Sequence, residues 1–198
     1  VNDTTGDKDL SKKFHNIHDF CIAKNVRKLR EGGLGIFITS NGTLDNSKKL
    51  RDWIVNEGGA DFVGAFRMHN KTFGGAGVTS DIVVIRKRVN GQKSVHAIDV
   101  SDVSGERMAE YDTGETRKVK GKETPVIKQL SMDYNRYFIE HPENMAGEMH
   151  FAFEKGDTFR PTSKGLYPKQ DKKQEEMLAE FVRSFRAEEF GERNTEVI

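Results

Sequence analysis

The sequence predicts an α/β protein: a mainly parallel sheet with an antiparallel strand at its end. Three observations carry this expectation. The runs "LGIFIT" (34–39) and "DIVVIRKRV" (81–89) hold strand-length apolar stretches without the polar alternation of a half-wet strand. Helical patterns stand before and between the strands, giving the order helix, strand, helix, strand, strand. No phosphate-cradling glycine loop opens the series: GxGxxG, the P-loop and HExxH are all absent from the sequence. The pieces therefore read as the second half of such a sheet.

Composition bounds the answer. The 198 residues are 35% hydrophobic and 32% charged, polar but within the globular range. A net charge of +1 does not announce a nucleic-acid partner, so any basic surface must be local. A single cysteine excludes a disulfide framework and a thiolate metal cluster. Cys21, in "IHDFCIAK", reads as a small hydrophobe buried on a helix face. No apolar run approaches the roughly 18 residues of a membrane helix, and no signal peptide is evident, so a cytoplasmic protein without membrane contact is expected. The chain begins at Val1 with a polar stretch, which reads as an excised or processed chain.

The elements follow in order. Residues 1–14 lack periodicity and read as an arm or loop. Asn16 is a candidate helix cap with Asp19 in the capping-box position, and Ile17, Phe20, Cys21, Val26 and Leu29 supply an apolar face. Lys24, Arg27, Lys28 and Arg30 favour the end of that helix, and Gly32-Gly33 stops it. "LGIFIT" is a strand expected to be covered on both faces, and "SNGTLDN" a loop. Asp45 or Asn46 caps a second helix carrying Leu50, Trp53 and Ile54, which Gly58-Gly59 ends. "ADFVGAFRM" and "DIVVIRKRV" are strands joined by the long glycine-rich loop "HNKTFGGAGVTS". Asn90-Gly91 signals a hairpin leading into "SVHAIDV".

Composition shifts near Val100. Residues 101–125 read as a charged linker or exposed hairpin. Ile127, Leu130, Tyr134 and Phe138 share one face of a predicted helix that ends before His141-Pro142. "MHFAFEKG" alternates like a strand, "RPTSKGLYP" is a constrained loop, and residues 172–185 form an amphipathic helix through Leu178, Phe181, Val182 and Phe185. The expected organisation is an arm at 1–15, an α/β core at 16–100, a linker or hairpin at 101–125, an accessory α+β region at 126–190 and a frayed tail at 191–198.

Little chemistry is legible from spacing. Gly74, Gly75 and Gly77 free backbone amides that either hold an anion or belong to a mobile hairpin. His15 and His18 lie three apart at a helix start without a third ligand, and read as surface residues. "RKRVNGQK" is a solvated strand end or a set of phosphate contacts.

As an ordered series, "FCIAKNVRKLREGG", "LGIFITSNGTLD", "LRDWIV" and "DFVGAFRMHNKTFGGAGVTSDIVVIRKR" resemble the downstream half of the methyltransferases that modify adenine N6 in DNA. The likeness is to type I restriction-modification subunits and to the helicase–methylase fusions of bacterial mobile elements. It covers about a third of the chain. "DYNRYFIEHPENMAGEM" also resembles the "N.YF..HPE...G.M" pattern found after the methylase core in those fusions.

The resemblance implies the C-terminal half of a Rossmann-like class I methyltransferase sheet with an α+β accessory region. The cofactor loop and the NPP[FY] tetrapeptide that holds the adenine amine are absent from this sequence. S-adenosylmethionine is therefore expected in the full-length protein and not bound to this chain, which would be inactive alone. It implies a target-base role for Phe73, which otherwise reads as a loop anchor on Val78. Asn41 and Gly42 match a ligand-facing turn in which the family proline is replaced, Asn70 and Lys71 would reach the target strand, and Arg86, Lys87 and Arg88 would meet phosphates. The implied partners are DNA, the rest of a parent polypeptide that includes a candidate helicase domain, and a second copy at an exposed sheet edge. The alternative is a noncatalytic DNA-binding or protein-docking module derived from a methyltransferase.

Overall fold

The computed structural model describes residues 6–73, 78–153, 161–168 and 173–185, without the side chains of 106–115, 127–132, 150–153 and 161–168. The helices are α1 (Lys8–Lys13), α2 (Ile17–Lys28), α3 (Gly42–Asp45), α4 (Lys48–Asn56), α5 (Arg136–Glu140) and α6 (Gln174–Ser184). The strands are β1 (Leu34–Ser40), β2 (Ala60–Met68), β3 (Ser80–Lys87), β4 (Val103–Val119), β5 (Lys122–Asn135), β6 (Gly147–Phe153) and β7 (Pro161–Pro168).

The central sheet has the order β1-β3-β2, and β3 is antiparallel to both neighbours. This overturns the expected Rossmann-like parallel sheet. The physical reason is the β2–β3 connection. A parallel neighbour needs a crossover of a dozen or more residues, usually with a helix. Only eleven residues separate Met68 from Ser80, and β3 pairs antiparallel with β2 on one side and with β1 on the other. β1 and β2 run the same way but are separated by β3. The other two sheets, β4-β5 and β6-β7, are antiparallel ribbons.

β1 corrects a second expectation. Its continuous apolar run is not doubly covered: Gly35 is buried and Phe37 packs on the core, while Ile36 and Ile38 are 67% and 65% exposed. β2 is buried at all nine positions, as a run of that kind should be. The difference is α6, whose Met177 and Phe181 cover Val63, Phe66 and Met68 of β2 and Val84 of β3.

Other elements differ locally. Residues 8–13 are helical rather than loop, because Leu10 and Phe14 are buried and Phe14 meets Trp53 edge-on at 5.7 Å. Cys21 is exposed, since α2 turns Phe20, Ile22, Ala23 and Val26 inward instead. Asn16 occupies the N-cap of α2 without a side-chain cap bond, and Asp19 accepts from the Ser47 hydroxyl at 3.1 Å. Ser47, not Asp45 or Asn46, is the N-cap of α4. Asn90 and Gly91 take the predicted positive φ values of 50° and 71°, but only the bridge Val89–Gln92 forms and "SVHAIDV" is no strand.

The region after Val100 is mostly ribbon. Residues 103–125 form β4 and the start of β5, a hairpin that turns at Lys120-Gly121 and is exposed over residues 116–125. The helix predicted across Ile127 and Leu130 is strand, because β4 pairs with that segment throughout; only α5 is helical. "RPTSKGLYP" is likewise strand, β7, paired with β6. α6 forms within the predicted span, but Val182 of its expected apolar face is 58% exposed and Met177 is buried with Phe181 instead; residues 186–198, including the expected tail, lie outside the described residues.

Two apolar layers hold the central sheet. One joins α1, α2 and α4 to Phe62, Ala65, Val83 and Ile85, and continues to Tyr137, Phe138 and Met149. The other lies under α6. In the second layer Gly64 leaves room for the rings of Phe181 and Phe185, which a Cβ would strike. Gly64→Ala is expected to cost about 1–3 kcal/mol in urea unfolding, and Phe185→Ala in the same chain should recover part of that loss.

Candidate functional site

The antiparallel register decides which candidate residues meet. Ser40 and Met68 both stand opposite Ser80, so the carboxyl ends of β1 and β2 share one end of the sheet with the amino end of β3. Asn41 and Gly42 leave β1 there, and Asn70, Lys71 and Phe73 leave β2 there. Five of the eight residues singled out from sequence thus gather at one end. Arg86, Lys87 and Arg88 stand at the other, about 23 Å away at 3.3 Å per strand residue.

The two groups differ in their commitments. Arg88 forms an ion pair with Asp61 at 2.6 Å, Lys87 donates to the Gly58 carbonyl at 2.5 Å, and Arg86 is partly buried. Lys71 and Phe73 are exposed, Phe73 at 44%. Gly74, Gly75 and Gly77, the candidate anion loop, lie outside the described residues.

The exposed rim has a fixed floor. Arg67, the residue before Met68, is fully buried and faces Asp81 across the strand pair. Its Nε and Nη2 donate to the two Asp81 oxygens at 2.8 Å each, a forked pairing. Nη2 also donates to Asp45 Oδ1 at 2.8 Å. The guanidinium lies 4.3 Å from the centre of the Phe138 ring. Burial alone would push the Arg67 pKa down, but the two carboxylates drive it above its usual value, so the side chain stays cationic.

Asp45 distributes that charge outward. Its Oδ1 accepts the Asn135 amide at 2.9 Å, and its Oδ2 accepts Asn41 Nδ2 at 3.1 Å. Asn135 Nδ2 closes on the Leu44 and Val100 carbonyls at 2.9 Å each, and its Oδ1 caps α5 by accepting Tyr137 N. The segment "DYNRYFIEHPENMAGEM" therefore wraps the buried arginine through Asn135, Phe138 and Met149. On the other flank Gln174 Oε1 accepts from His69 N and from Thr72 Oγ1, both at 2.9 Å, tying the loop before Phe73 to α6.

Sequence reasoning missed Arg67, Asp81, Asp45 as an acid, and Asn135. The signal was present but weak: an arginine inside the apolar run 62–68 demands a buried counter-charge. Among the described residues no group of three or more His, Cys, Asp or Glu could hold a metal ion, and His15 and His18 are exposed. No helix of the described residues is long and apolar enough to cross a membrane.

In comparisons with known proteins, no family model, no curated protein and no solved structure matches this chain.

Arg67→Met would strand two buried carboxylates, and a loss of about 3–5 kcal/mol is expected in thermal or urea unfolding. Adding Asp45→Asn and Asp81→Asn should restore much of it; a single-mutant cost near zero would show the cluster to be dispensable. At the far end, burial raises the Asp61 carboxyl, but Arg88 and the Ser94 amide outweigh it and hold the group below the usual carboxylate range. A depressed folded pKa contributes stability above the unfolded value of about 3.9, lost as pH falls through the folded value. Asp61→Asn should therefore flatten the acid limb of stability against pH below about 4 and lower stability at neutral pH.

Proposed function

We propose that this chain is the target-base side of an S-adenosylmethionine-dependent adenine-N6 DNA methyltransferase. The carrying observation is the gathering of Asn41, Gly42, Asn70, Lys71 and Phe73 at one sheet end, on a floor fixed by Arg67, Asp45 and Asp81. These are the residues whose sequence context resembles the base-facing parts of that family. An enzyme acting on a base in duplex DNA must extrude it, and an exposed aromatic ring recovers part of the lost stacking, about 1–3 kcal/mol per base. Phe73 is such a ring, on a loop held at its start by Gln174. Asn41 is positioned by Asp45 to offer its remaining amide proton and its carbonyl. The methyl donor site and the amine-holding tetrapeptide belong, in this reading, to the rest of a parent polypeptide.

The β4-β5 ribbon supports a DNA partner. Residues 116–125 at its tip are all exposed, and they carry Arg117, Lys118, Lys120 and Lys122 against Glu123 alone. Cross-strand pairing places Arg117 and Lys122 on one face with Val119 and Thr124, and sets Lys118 opposite Glu123 on the other. A two-stranded ribbon fits the major groove, and cations at its tip suit phosphates. The ribbon is rooted at Asn135, beside the candidate site, so its tip reaches roughly 45 Å from there at 3.3 Å per residue.

A second reading, a protein-docking module derived from such an enzyme, is favoured by β1. Its outer edge has no strand partner among the described residues, and its seven residues include no charge to deter pairing with another chain.

The test is binding by the chain as it stands. It should show no measurable affinity for S-adenosylmethionine. It should bind a duplex with a mispaired adenine more tightly than the matched duplex, with affinity falling as salt rises. Phe73→Ala should remove most of that preference, about tenfold, while leaving matched-duplex binding unchanged. Self-association without DNA affinity would favour the docking module, and adenine methylation by the chain alone would overturn the division of labour.

A further inference from the structure

A cavity of about 320 Å³ lies between α4, β2 and residues 93–101, away from the rim residues of the candidate site. Its polar wall is built around Arg51, which is only 3% exposed. The guanidinium is poorly satisfied. Nη1 reaches the Thr43 carbonyl at 3.4 Å and Nη2 reaches the Ser101 carbonyl at 3.3 Å, both long, and Nε has no hydrogen-bond partner. Asp45, Asp52 and Asp102 act on it only through space, and burial, the dominant influence, pulls its pKa down. Contrast Arg67, where two carboxylates close on the same kind of group.

The carboxylates lining the cavity are already engaged. Asp52 pairs with Lys48 at 2.7 Å, Asp61 with Arg88 and the Ser94 amide, and Asp99 accepts Ser101 N at 2.8 Å. Lys93, also lining the cavity, is exposed and forms no ion pair among the described residues. Lys93 acts through space on Asp61 and Asp99, and Arg51 is the buried cation of this cavity with no carboxylate within hydrogen-bond reach among the described residues. Val55, Phe62 and Ile98 supply apolar wall beside them. A buried guanidinium with an open Nε is costly until an acceptor arrives, and charge-assisted bonds to an oxyanion are among the stronger ones available.

We propose that this cavity binds a small organic oxyanion, a carboxylate or a phosphate, which Arg51 Nε holds from within and Lys93 holds at the mouth. The apolar body of the ligand lies along Val55, Phe62 and Ile98. The site is independent of the methyltransferase reading, and neither stands on the other.

Benzoate and phenyl phosphate are suitable probes, with benzamide as the neutral control. Each is titrated into the full chain while the Arg51 Nε–H resonance and the amides of residues 97–101 are followed by NMR. Saturable shifts are expected with at least one of the two anions and not with benzamide. Saturation by benzoate alone identifies a carboxylate site, by phenyl phosphate alone a phosphate site, and by both a general oxyanion site. Arg51→Gln should abolish the response. Because that side chain is buried, Lys93→Glu at the exposed mouth provides a second reading and should weaken binding about tenfold or more. The proposal is overturned if neither anion gives a saturable shift, if benzamide binds as well as they do, or if Lys93→Glu leaves the affinity unchanged.

Discussion

The fold turns on one buried cation. Arg67 sits in a strand buried at all nine of its positions, and a lone guanidinium there would be intolerable. Its two carboxylates come from places far apart in the chain: Asp81 on the neighbouring strand and Asp45 on a four-residue helix. Satisfying Arg67 thus fixes the β2–β3 register, docks α3 against the sheet and, through Asn135, anchors a segment some ninety residues further on. Apolar packing supplies most of the stabilisation, but it is non-directional and would tolerate slippage. The forked hydrogen bonds do not. In this chain the ionic cluster accounts for specificity of arrangement, while the two apolar layers account for cohesion.

The same cluster explains why the candidate site lies at one end of the sheet. α3 can follow β1 only where Asp45 reaches Arg67, so the turn at Asn41 and Gly42 is held beside the loop that leaves β2. The basic residues at the end of β3 have no such connection. They are drawn instead into local pairings with Asp61 and Gly58, which hold the opposite end of the sheet.

Much of the secondary structure was legible because it rests on local rules. Gly58-Gly59 closes α4 with a positive φ of 59° at Gly59, α6 forms where helical periodicity stands, and the apolar runs are strands. What failed required knowledge of neighbours. "LGIFIT" looks the same whether both its faces are covered or only one, and the exposure of Ile36 and Ile38 depends on where α6 lies. Ile127, Leu130, Tyr134 and Phe138 fit a helical stripe, yet seventeen residues of β4 offer that segment a partner strand. Parallel against antiparallel was decided by which strand pairs with which, to which strand periodicity is blind. Of the candidate site, the rim residues were picked out only through the resemblance of the segments around them to a known family. Its floor was not, because acids and arginines that pair across twenty or ninety positions look like ordinary surface charges when read one at a time.

The ribbon has a geometric consequence. The pairing register of its two strands breaks after Gly105 and after Asp112, and irregular pairing of this kind bends and twists a strand pair. Beyond them a continuous ladder runs to the turn at Lys120-Gly121. From that turn β5 runs back to Asn135, whose backbone amide rests on one oxygen of Asp45 while Asn41 donates to the other. Tip and turn thus converge on one side chain: the root of the ribbon and the start of α3 hang from opposite oxygens of Asp45.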